Sequence, residues 1–431
     1  MVAIAPTISE PADVVCVGAG PANLSFASLA QKRTGLDVHV IEKSSSISWH
    51  PYALYDESNL QTSLLEDLVT PVDPSHDSSF LCFLAAKQRM TQFLCASDPV
   101  VTRVEFQQYL QWAAERVQNL ALGESVERVT RKSDLFKIET TARTLYARNI
   151  SLGVGVEPFV PAWASHSPSA QVMHAWTLSE TKPDVTGATV AVVGGGQTSA
   201  EVVDTLLNGT YGKLARIIWI CRRSNLFPMD DTPFVNEFFS PQYARYFNTL
   251  TLEARSRIAN ANRLLCDGIS SGMAASLYNK IYAAQHVAET PTTVSIALDQ
   301  DVTALEVHGR PHTLILQSNA DGLITPISAD AVILATGCTR PFPHFLKELS
   351  GLFQYDEGDE FKLDQHYRVL WNIETQQQIY AHNRGRRTHG LGDNTFCMVS
   401  WRSAIMLNDI LKREVFAAAP PPTAIDWMFG R

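Results

Sequence analysis

The sequence predicts an α/β fold with two Rossmann-like dinucleotide-binding domains and a small helical substrate-binding region. Two stretches, near residues 13–32 and 189–206, each place an apolar strand before a glycine-rich turn and a helix-like run. In both, charged residues follow the next apolar strand, as expected beside the ribose of a dinucleotide. The length of 431 residues and the 45% apolar content allow two or three domains with a sizeable core.

The first glycine-rich turn follows the apolar run at 13–17. Gly18 permits a tight turn and Gly20 lets the backbone approach a pyrophosphate. The helix that follows offers free N–H groups and partial positive charge to the anion. The strand at 38–41 ends in Glu42, roughly 20 residues further on, where an acid hydrogen-bonds ribose hydroxyls. Strand, turn, helix and acid together predict dinucleotide binding.

A second copy of this pattern begins with the apolar run at 189–193. Its turn contains Gly194 and Gly196 and opens a helix-like stretch, so the chain is predicted to bind two dinucleotides. After the next strand, the position where an acid selects NAD holds Arg222 and Arg223 instead. These cations suit the 2′-phosphate of NADP, and a solvated surface pair is the alternative.

The second unit is predicted to interrupt the first. We expect a first dinucleotide-binding domain at 1–165, an inserted domain at 166–325, and a return with a substrate-site segment at 326–431. The apolar strand at 331–335, which runs into Thr336 and Gly337, is interpreted as part of that return, by analogy with other proteins that bind two dinucleotides.

Two further features of the insertion follow from composition. Passages rich in Pro, Gly and Ser at 157–169 and 319–328 are predicted to be the two crossings between domains. The helix-rich segment from 225 to about 285 is interpreted as lying outside both dinucleotide folds, where it would wall a substrate pocket.

Composition and charge exclude several function classes. The net charge is −9 and no cluster of Lys and Arg stands out, so nucleic acid is not an expected partner. The N-terminus lacks a signal peptide pattern and no apolar run reaches the ~20 residues of a membrane helix, so we expect a cytoplasmic protein without a membrane span. The seven cysteines include no CxxC pair, which favours buried hydrophobes over a redox disulfide or a metal site.

Along nearly its whole length the chain resembles the flavin-dependent N-hydroxylating monooxygenases of siderophore biosynthesis, the lysine and ornithine N-hydroxylases. The resemblance rests on VGAGPANLS (17–25), SWHP (48–51), LQTSLLEDLVTPVDP (60–74), VVGGGQTSAE (192–201), PFVNEFFSPQY (233–243), ILATG (333–337), THGLGD (388–393) and SWRSAIMLN (400–408). The last of these stretches and the DGI at 267–269 are more similar to lysine N-hydroxylases of the aerobactin type.

The resemblance implies FAD and NADPH as cofactors, with a small amine and O2 as substrates. In such enzymes NADPH reduces FAD, and O2 adds to the reduced flavin to give a C4a-hydroperoxide. A neutral primary amine then attacks its distal oxygen and becomes a hydroxylamine. The resemblance also implies a homo-oligomer, a tetramer or a dimer, and a product that enters hydroxamate siderophores.

The matched motifs imply which residues form the site. For FAD they are Gly18, Gly20, Pro21, Asn23 and Glu42, with Trp49, His50 and Gln61 close to the flavin. For NADPH they are Gly194, Gly196, Gln197, Ser199 and Arg222 or Arg223. Gln61 and Asn236 are implied to be catalytic. A core role for Trp49 and structural roles for His50 and His389 remain the alternatives.

The chain departs from its relatives at Glu66. The motif of the lysine and ornithine enzymes reads approximately FLKDLVT, and its lysine binds the substrate carboxylate, whereas this chain has LLEDLVT. Two charges ~4 Å apart interact by about 4 kcal/mol at an effective dielectric of ~20, so the reversed charge should repel an amino-acid carboxylate. Substrate binding is predicted at Glu66, Asn236, Asp267 and Cys397.

This pocket suits a ligand that is cationic at both ends. We therefore expect an aliphatic diamine, putrescine or cadaverine, with its far ammonium on Glu66. If Glu66 instead faced solvent or neutralised a Lys or Arg elsewhere, lysine or ornithine would be the substrate.

Other function classes fit the sequence less well. A flavin disulfide reductase needs a close cysteine pair, which this sequence lacks. The sequence fingerprint of the Baeyer–Villiger monooxygenases is not found between the two glycine-rich turns. A non-catalytic, dinucleotide-sensing protein would keep the glycine turns but lose the amine pocket. The presence of Gln61 and Asn236 argues against that reading.

Overall fold

The structure is a computed structural model that describes residues 10–49, 60, 62–96, 101–165, 169, 171–307, 309–356, 358, 360–419 and 422–430. The strands are β1 Ala12–Val17, β2 Val38–Glu42, β3 Leu120–Leu122, β4 Val126–Lys132, β5 Leu135–Thr140, β6 Thr144–Leu152, β7 Glu157–Pro158, β8 Val172–His174, β9 Thr189–Val193, β10 Arg216–Cys221, β11 Thr293–Leu298, β12 Gln300–Glu306, β13 His312–Ser318, β14 Ile324–Ala329, β15 Ala331–Leu334, β16 Cys338–Thr339 and β17 Gln378–Ala381.

The α-helices are α1 Pro21–Arg33, α2 Phe80–Ala86, α3 Met90–Cys95, α4 Arg103–Ala114, α5 Ala162–Ser165, α6 Leu178–Thr181, α7 Gln197–Leu207, α8 Pro233–Asn236, α9 Pro241–Asn248, α10 Leu252–Ala261, α11 Leu264–Asp267, α12 Ser271–His286, α13 Arg386–His389 and α14 Val399–Leu411. Short 3-10 helices lie at Ala175–Thr177, Glu237–Phe239, His344–Leu352, Leu391–Asn394 and Phe396–Met398.

The first unit is built on a seven-stranded sheet. Its strand order is β3-β2-β1-β6-β5-β4, with β17 also paired to β6. β1 runs parallel to β2 and β6, and β5 runs antiparallel to β6. Strands buried on both faces read as continuous apolar runs, which is why β1 stood out in the sequence. Helices α1 and α14 pack against each other beside this sheet.

The second unit is a five-stranded parallel sheet in the order β11-β10-β9-β15-β8. The parallel strands β2, β1 and β6 of the first sheet and the parallel second sheet confirm the predicted α/β class with two Rossmann-like units. The assignment of 331–335 to the return was wrong, because β15 pairs with β9 and β8 in the middle of this sheet. The second unit thus extends past the predicted boundary at 325, and the chain rejoins the first sheet at β17. All four β15 residues are buried and apolar, a pattern that does not specify which sheet the strand enters.

The chain passes between the two units at a two-stranded link. β7 lies within the predicted first crossing, 157–169, and it pairs antiparallel with β16, where the chain comes back. The prediction of a second crossing at 319–328 was wrong. Those residues form the turn after β13 and most of β14, in a separate three-stranded sheet, β12-β13-β14.

The helical segment divides between two roles. Helices α8 to α11 lie outside the parallel sheets, as predicted for part of 225–285. The rest of that prediction was wrong, because α12 is the crossover helix between β10 and β11 and packs on α7. Leu277 of α12 is buried in the core of the second unit. In the part of the chain that the structure describes, no helix is long and apolar enough to cross a membrane.

Candidate functional site

The first glycine turn fits closely against the neighbouring strand end. Gly18 has φ of +90°, and a Cβ there would lie 2.5 Å from the carbonyl oxygen of Gly153. A side chain is therefore excluded both by backbone conformation and by space. Gly20 directly precedes α1, whose first residue is Pro21, and proline at this position is preset for a helix start.

Asn23 holds this turn in shape from behind. The side chain is fully buried. Its Nδ2 donates to the carbonyl oxygens of Val17 at 3.0 Å and Gly18 at 2.7 Å, and its Oδ1 accepts from Ser151 Oγ at 2.7 Å. The structure therefore gives Asn23 a structural task in the turn, and direct contact with FAD stays a prediction.

Glu42 closes the turn from the adjacent strand. It ends β2, and its two carboxylate oxygens accept from Ala19 N at 2.7 Å and Ser44 N at 2.8 Å. These bonds hold the carboxylate at the carboxyl end of the parallel strands, beside the turn, where the ribose-binding acid of such folds lies.

The second glycine turn also fits closely against a neighbouring strand end. Gly194 has φ of +151°, and a Cβ there would lie 2.3 Å from the carbonyl oxygen of Ala335. Gly196 precedes α7, and the buried Ser199 donates its hydroxyl to Gly196 O at 2.7 Å. Gln197 Oε1 accepts from Ser270 N at 2.9 Å, which ties the turn to the start of α12.

The two adjacent arginines have different surroundings. Arg223 donates through Nη1 to the carbonyl oxygen of Asp267 at 2.9 Å, so its guanidinium helps to hold the loop behind the turn. Arg222 is exposed, and its guanidinium has no hydrogen bond or ion pair with the residues described in the structure. Arg222 is therefore the one of the pair that is available to a phosphate.

Both turns suit a dinucleotide. Each places a half-buried glycine backbone at the start of a helix, where the N–H groups of the first helical turn and the helix dipole attract a pyrophosphate. A Cβ at either first glycine would occupy space already taken by a carbonyl oxygen. FAD would be held at the first turn with Glu42, and NADPH at the second turn with Arg222.

Three aromatic side chains pack together at the edge of the core of the first unit. Trp49 lies edge-on to Phe106 with centroids 5.5 Å apart and to Phe396 with centroids 6.0 Å apart. Phe106 and Phe396 meet at 4.8 Å. We call Trp49, Phe106 and Phe396 the aromatic wall. His50 and Gln61, which were predicted to lie near the flavin, fall outside the described residues, and the flavin contact of Trp49 stays a prediction.

Glu66 lies half-buried close to Cys397. Its Oε2 accepts from Ser63 N at 3.1 Å, and desolvation by burial raises the pKa of the Glu66 carboxyl. Burial, together with the nearby Glu66 carboxylate, raises the pKa of the Cys397 thiol to about 12. Among the described residues no Lys or Arg forms an ion pair with Glu66. The side chain is therefore neither fully solvated nor already neutralised.

The Cys397 side chain, which lies near Glu66, contacts the helical segment. Its Sγ lies 2.9 Å from Thr395 Oγ1 and donates to the carbonyl oxygen of Phe239 at 3.6 Å. Asn236 lies just before Phe239, on α8, and its Nδ2 donates to Asp231 O at 3.0 Å. The Asn236 side chain is exposed, so its predicted catalytic and substrate roles stay predictions.

Asp267 occupies a different place from the other predicted substrate residues. Its carboxylate accepts from Arg263 Nε at 2.7 Å, and its carbonyl oxygen accepts from Arg223. A Cβ on Gly196 would lie 3.2 Å from that same carbonyl oxygen. These contacts place Asp267 at the second glycine turn, and its binding to the amine stays a prediction.

A buried polar network was missed at the sequence level. Arg402 is fully buried in α14, and its guanidinium reaches the carboxylate of Asp393 at 3.1 Å and His382 Nδ1 at 3.2 Å. His382 Nε2 in turn meets the Ser151 hydroxyl, the partner of Asn23. The network thus connects α14 with the first glycine turn. The signal was Arg402 within the apolar run of SWRSAIMLN.

His389 is a structural histidine by its contacts. Its ring stacks on Tyr367 with centroids 3.7 Å apart, and its two nitrogens meet Thr388 Oγ1 and the carbonyl oxygen of Gln365. Burial lowers the pKa of His389 to about 4, so the ring is neutral at pH 7.

Comparisons with known proteins agree with this geometry. Residues 10–340 match the sequence profile of the L-lysine 6-monooxygenase/L-ornithine 5-monooxygenase family. The L-lysine N6-monooxygenase of Escherichia coli is 31% identical over 98% of this chain and 100% of its own. The chain belongs to this family.

Two further relatives show the range of the family. A putrescine N-hydroxylase of Acinetobacter baumannii is 27% identical, over 94% of this chain and 91% of its own. The FAD-bound structure of DfoA, the cadaverine monooxygenase of desferrioxamine biosynthesis in Erwinia amylovora, has a TM-score of 0.90 at 24% identity and covers 97% of this chain and 98% of its own.

Family membership confirms several predictions. The chain is a flavin-dependent N-hydroxylating monooxygenase of siderophore biosynthesis that uses FAD and NADPH. Its substrate is a small primary amine from the group of lysine, ornithine, putrescine and cadaverine. The prediction of a homo-oligomer stays a prediction.

Proposed function

We propose that this enzyme hydroxylates one terminal amine of an aliphatic diamine, putrescine or cadaverine, for a hydroxamate siderophore. The observation that carries the proposal is the half-buried Glu66, set against Cys397 and unpaired with any described Lys or Arg. It stands where the motif of the lysine and ornithine enzymes has a carboxylate-binding lysine. An acid at this end of the pocket suits a far ammonium and repels a carboxylate.

The chemistry divides between the cofactors and the chain. Bound FAD, once reduced by NADPH, supplies the activated oxygen that the amine takes up. The residues of this chain bind the amine, orient it and exclude water. Trp49 and Phe396, which pack on the buried Phe106, would supply apolar surface that keeps water and stray protons away from the reacting atoms.

The two ends of a diamine need opposite protonation states. A free alkylammonium has a pKa of ~10.4, and only the neutral amine is nucleophilic, so the reacting end must be deprotonated by desolvation. The far end must stay charged to pair with Glu66. Pairing with an ammonium offsets the desolvation that raises the pKa of the Glu66 carboxyl. Glu66 therefore binds the far ammonium of the substrate and does not contact the reacting nitrogen.

L-lysine N6-hydroxylation, or L-ornithine N5-hydroxylation, is the alternative. The 31% identity to the lysine enzyme over nearly the whole chain favours it. It requires a cation at the far end of the pocket. Among the described residues no Lys or Arg forms an ion pair with Glu66, and Arg402, whose charge acts on Cys397, is fully buried and paired with Asp393.

The proposal is tested by hydroxylamine formation with putrescine, cadaverine, lysine and ornithine. Product is measured together with NADPH oxidation, because an uncoupled enzyme consumes NADPH without hydroxylating. We expect kcat/KM to be highest for a diamine. A far higher kcat/KM for lysine or ornithine would contradict the proposal.

Substitutions at Glu66 sharpen the test. Glu66→Gln removes the charge at nearly constant shape, and we expect diamine kcat/KM to fall by about 10- to 100-fold, the value of a charge-assisted hydrogen bond. Glu66→Lys should lower it further. Glu115→Gln, on the exposed end of α4, is the control and should change nothing.

A further inference from the structure

One ion pair joins the two dinucleotide-binding units directly. Arg103 begins α4 of the first unit, and Glu201 lies in α7 of the second, 98 positions further along the chain. The pair is bidentate, with Nη1 to Oε2 at 3.1 Å and Nη2 to Oε1 at 3.0 Å. The side chains are 17% and 3% exposed. We call Arg103 and Glu201 the clasp.

Each charge is stabilised by the other. A cation in the first turn of a helix opposes the helix dipole, so Arg103 lies where its own helix disfavours it. A buried carboxylate such as Glu201 needs a charged partner and further hydrogen bonds to offset its lost hydration. The bidentate geometry and Gln197 Nε2, which donates to Glu201 Oε1 at 3.1 Å, provide both.

The second-unit end of the clasp adjoins the NADPH turn. Gln197 is the first residue of α7 after Gly196, and it also accepts from Ser270 N. Glu201 lies one turn further along that helix and bonds to Gln197. The position of Glu201 therefore fixes the turn that would hold the pyrophosphate of NADPH.

The first-unit end of the clasp adjoins the aromatic wall. Phe106 and Gln107 lie three and four residues after Arg103, on the same side of α4. Phe106 packs on Trp49 and Phe396, and Gln107 Oε1 accepts from Trp49 N at 2.6 Å. One helical turn thus connects the NADPH turn to the aromatic wall.

We propose that Arg103 is a positioning residue that, through Glu201, sets the NADPH turn relative to the flavin and so determines the rate of flavin reduction. In that step NADPH gives a hydride, two electrons and one proton, to FAD, and the products are NADP⁺ and FADH⁻. Displacements of about 1 Å can cost about 100-fold in rate, because hydride donor and acceptor must meet closely and in alignment. The proposal does not depend on which amine is hydroxylated.

Anaerobic flavin reduction by saturating NADPH gives the first test. We expect Arg103→Met and Glu201→Gln to slow this step by about 10- to 100-fold, and the double variant to be little worse than either single one. Reduction by dithionite, which needs no NADPH turn, should keep its wild-type rate in each. Arg103→Lys retains the charge and should restore part of the rate.

A matched control is a second ion pair on α7, the helix that carries Glu201. Lys280 of α12 pairs with Asp204, three residues after Glu201, at 2.9 Å, but both belong to the second unit. Lys280→Met removes an ion pair from α7 without touching the contact between units. We expect its flavin reduction to stay within about twofold of wild type. A slowing equal to that of Arg103→Met would overturn the proposal, since it would reflect general loosening of α7.

Hydrogen–deuterium exchange of the FAD-loaded enzyme without NADPH gives a test that needs no turnover. In Arg103→Met we expect amides in the first turns of both α4 and α7 to exchange about tenfold faster, because the contact that covers them opens. In Lys280→Met only α7 and α12 should change. Wild-type exchange at both helices together with a wild-type reduction rate in Arg103→Met would overturn the proposal.

Discussion

Arg222 and Arg223 are adjacent in the chain but serve different surfaces. Both follow β10, which ends at Cys221, and lie in the loop after that strand. Arg223 satisfies the carbonyl oxygen of Asp267, and Arg222 stays exposed. Arg223 therefore holds the loop in place, whereas Arg222 is available to a ligand.

We predict that Arg222 recognises the 2′-phosphate of NADPH. Arg222→Ala should raise KM for NADPH by about 10- to 100-fold and leave KM for NADH nearly unchanged, because only NADPH carries the phosphate. Steady-state NAD(P)H oxidation measures both. Arg223→Ala is the comparison and should mainly lower the melting temperature. Unchanged discrimination in Arg222→Ala would show that another group reads the phosphate.

At the scale of elements, a C-terminal strap of residues 422–430 holds the segment that carries Asn236. Glu237 accepts from the backbone N–H groups of Ala424 and Ile425, both at 2.8 Å. Trp427 packs among Phe238, Tyr243 and Tyr246 with centroids 4.8–5.9 Å apart. Because the carbonyl oxygen of Phe239 accepts from Cys397, the strap indirectly supports the pocket beside Glu66.

We predict that loosening the strap impairs amine binding more than flavin reduction. Trp427→Ala should raise KM for the amine by about tenfold, since a misplaced pocket wall loses contacts worth ~1–2 kcal/mol. Flavin reduction by NADPH should be unchanged. Trp427→Phe, which keeps a ring, and Phe429→Ala, at an 86% exposed position, are the controls. Equal losses in both reactions would contradict a role confined to the amine pocket.

At the scale of the whole molecule, buried neutral histidines link stability to pH. Burial lowers the pKa of His389 to about 4, and burial with the Arg402 charge lowers that of His382 well below its usual value. In the unfolded chain both return to ~6.5. Below that pH the unfolded state binds more protons than the folded state. The stabilising effect is therefore complete above pH ~6.5 and is lost as the pH falls toward 4.

We predict that the free energy of unfolding falls by roughly 2 kcal/mol through His389 between pH 7.5 and pH 5, with a further loss through His382. Urea unfolding at the two pH values measures this loss. His389→Asn should reduce the number of protons taken up on unfolding by about one, and so flatten the dependence of the unfolding free energy on pH, even though it also lowers stability at pH 7.5. His286→Asn, at an exposed position, is the control. An unchanged slope in His389→Asn would show that His389 takes up no proton on unfolding.

The sequence by itself determined the two glycine turns, the strands before them and the helices after them. It also carried the family resemblance and the charge reversal at Glu66. These features depend on conformations and spacings within about 20 residues, such as the positive φ at Gly18 and the apolar run of β1.

Only the tertiary structure decided which sheet β15 enters, which of the two arginines stays exposed, and what surrounds Glu66. It alone revealed the pairing of Arg103 with Glu201 across 98 positions and the network from Arg402 to the first glycine turn. An apolar run specifies burial without naming its neighbours, and a charged residue does not name its partner. Those choices follow from how the whole chain closes around its cores, where every buried charge must find a partner within reach.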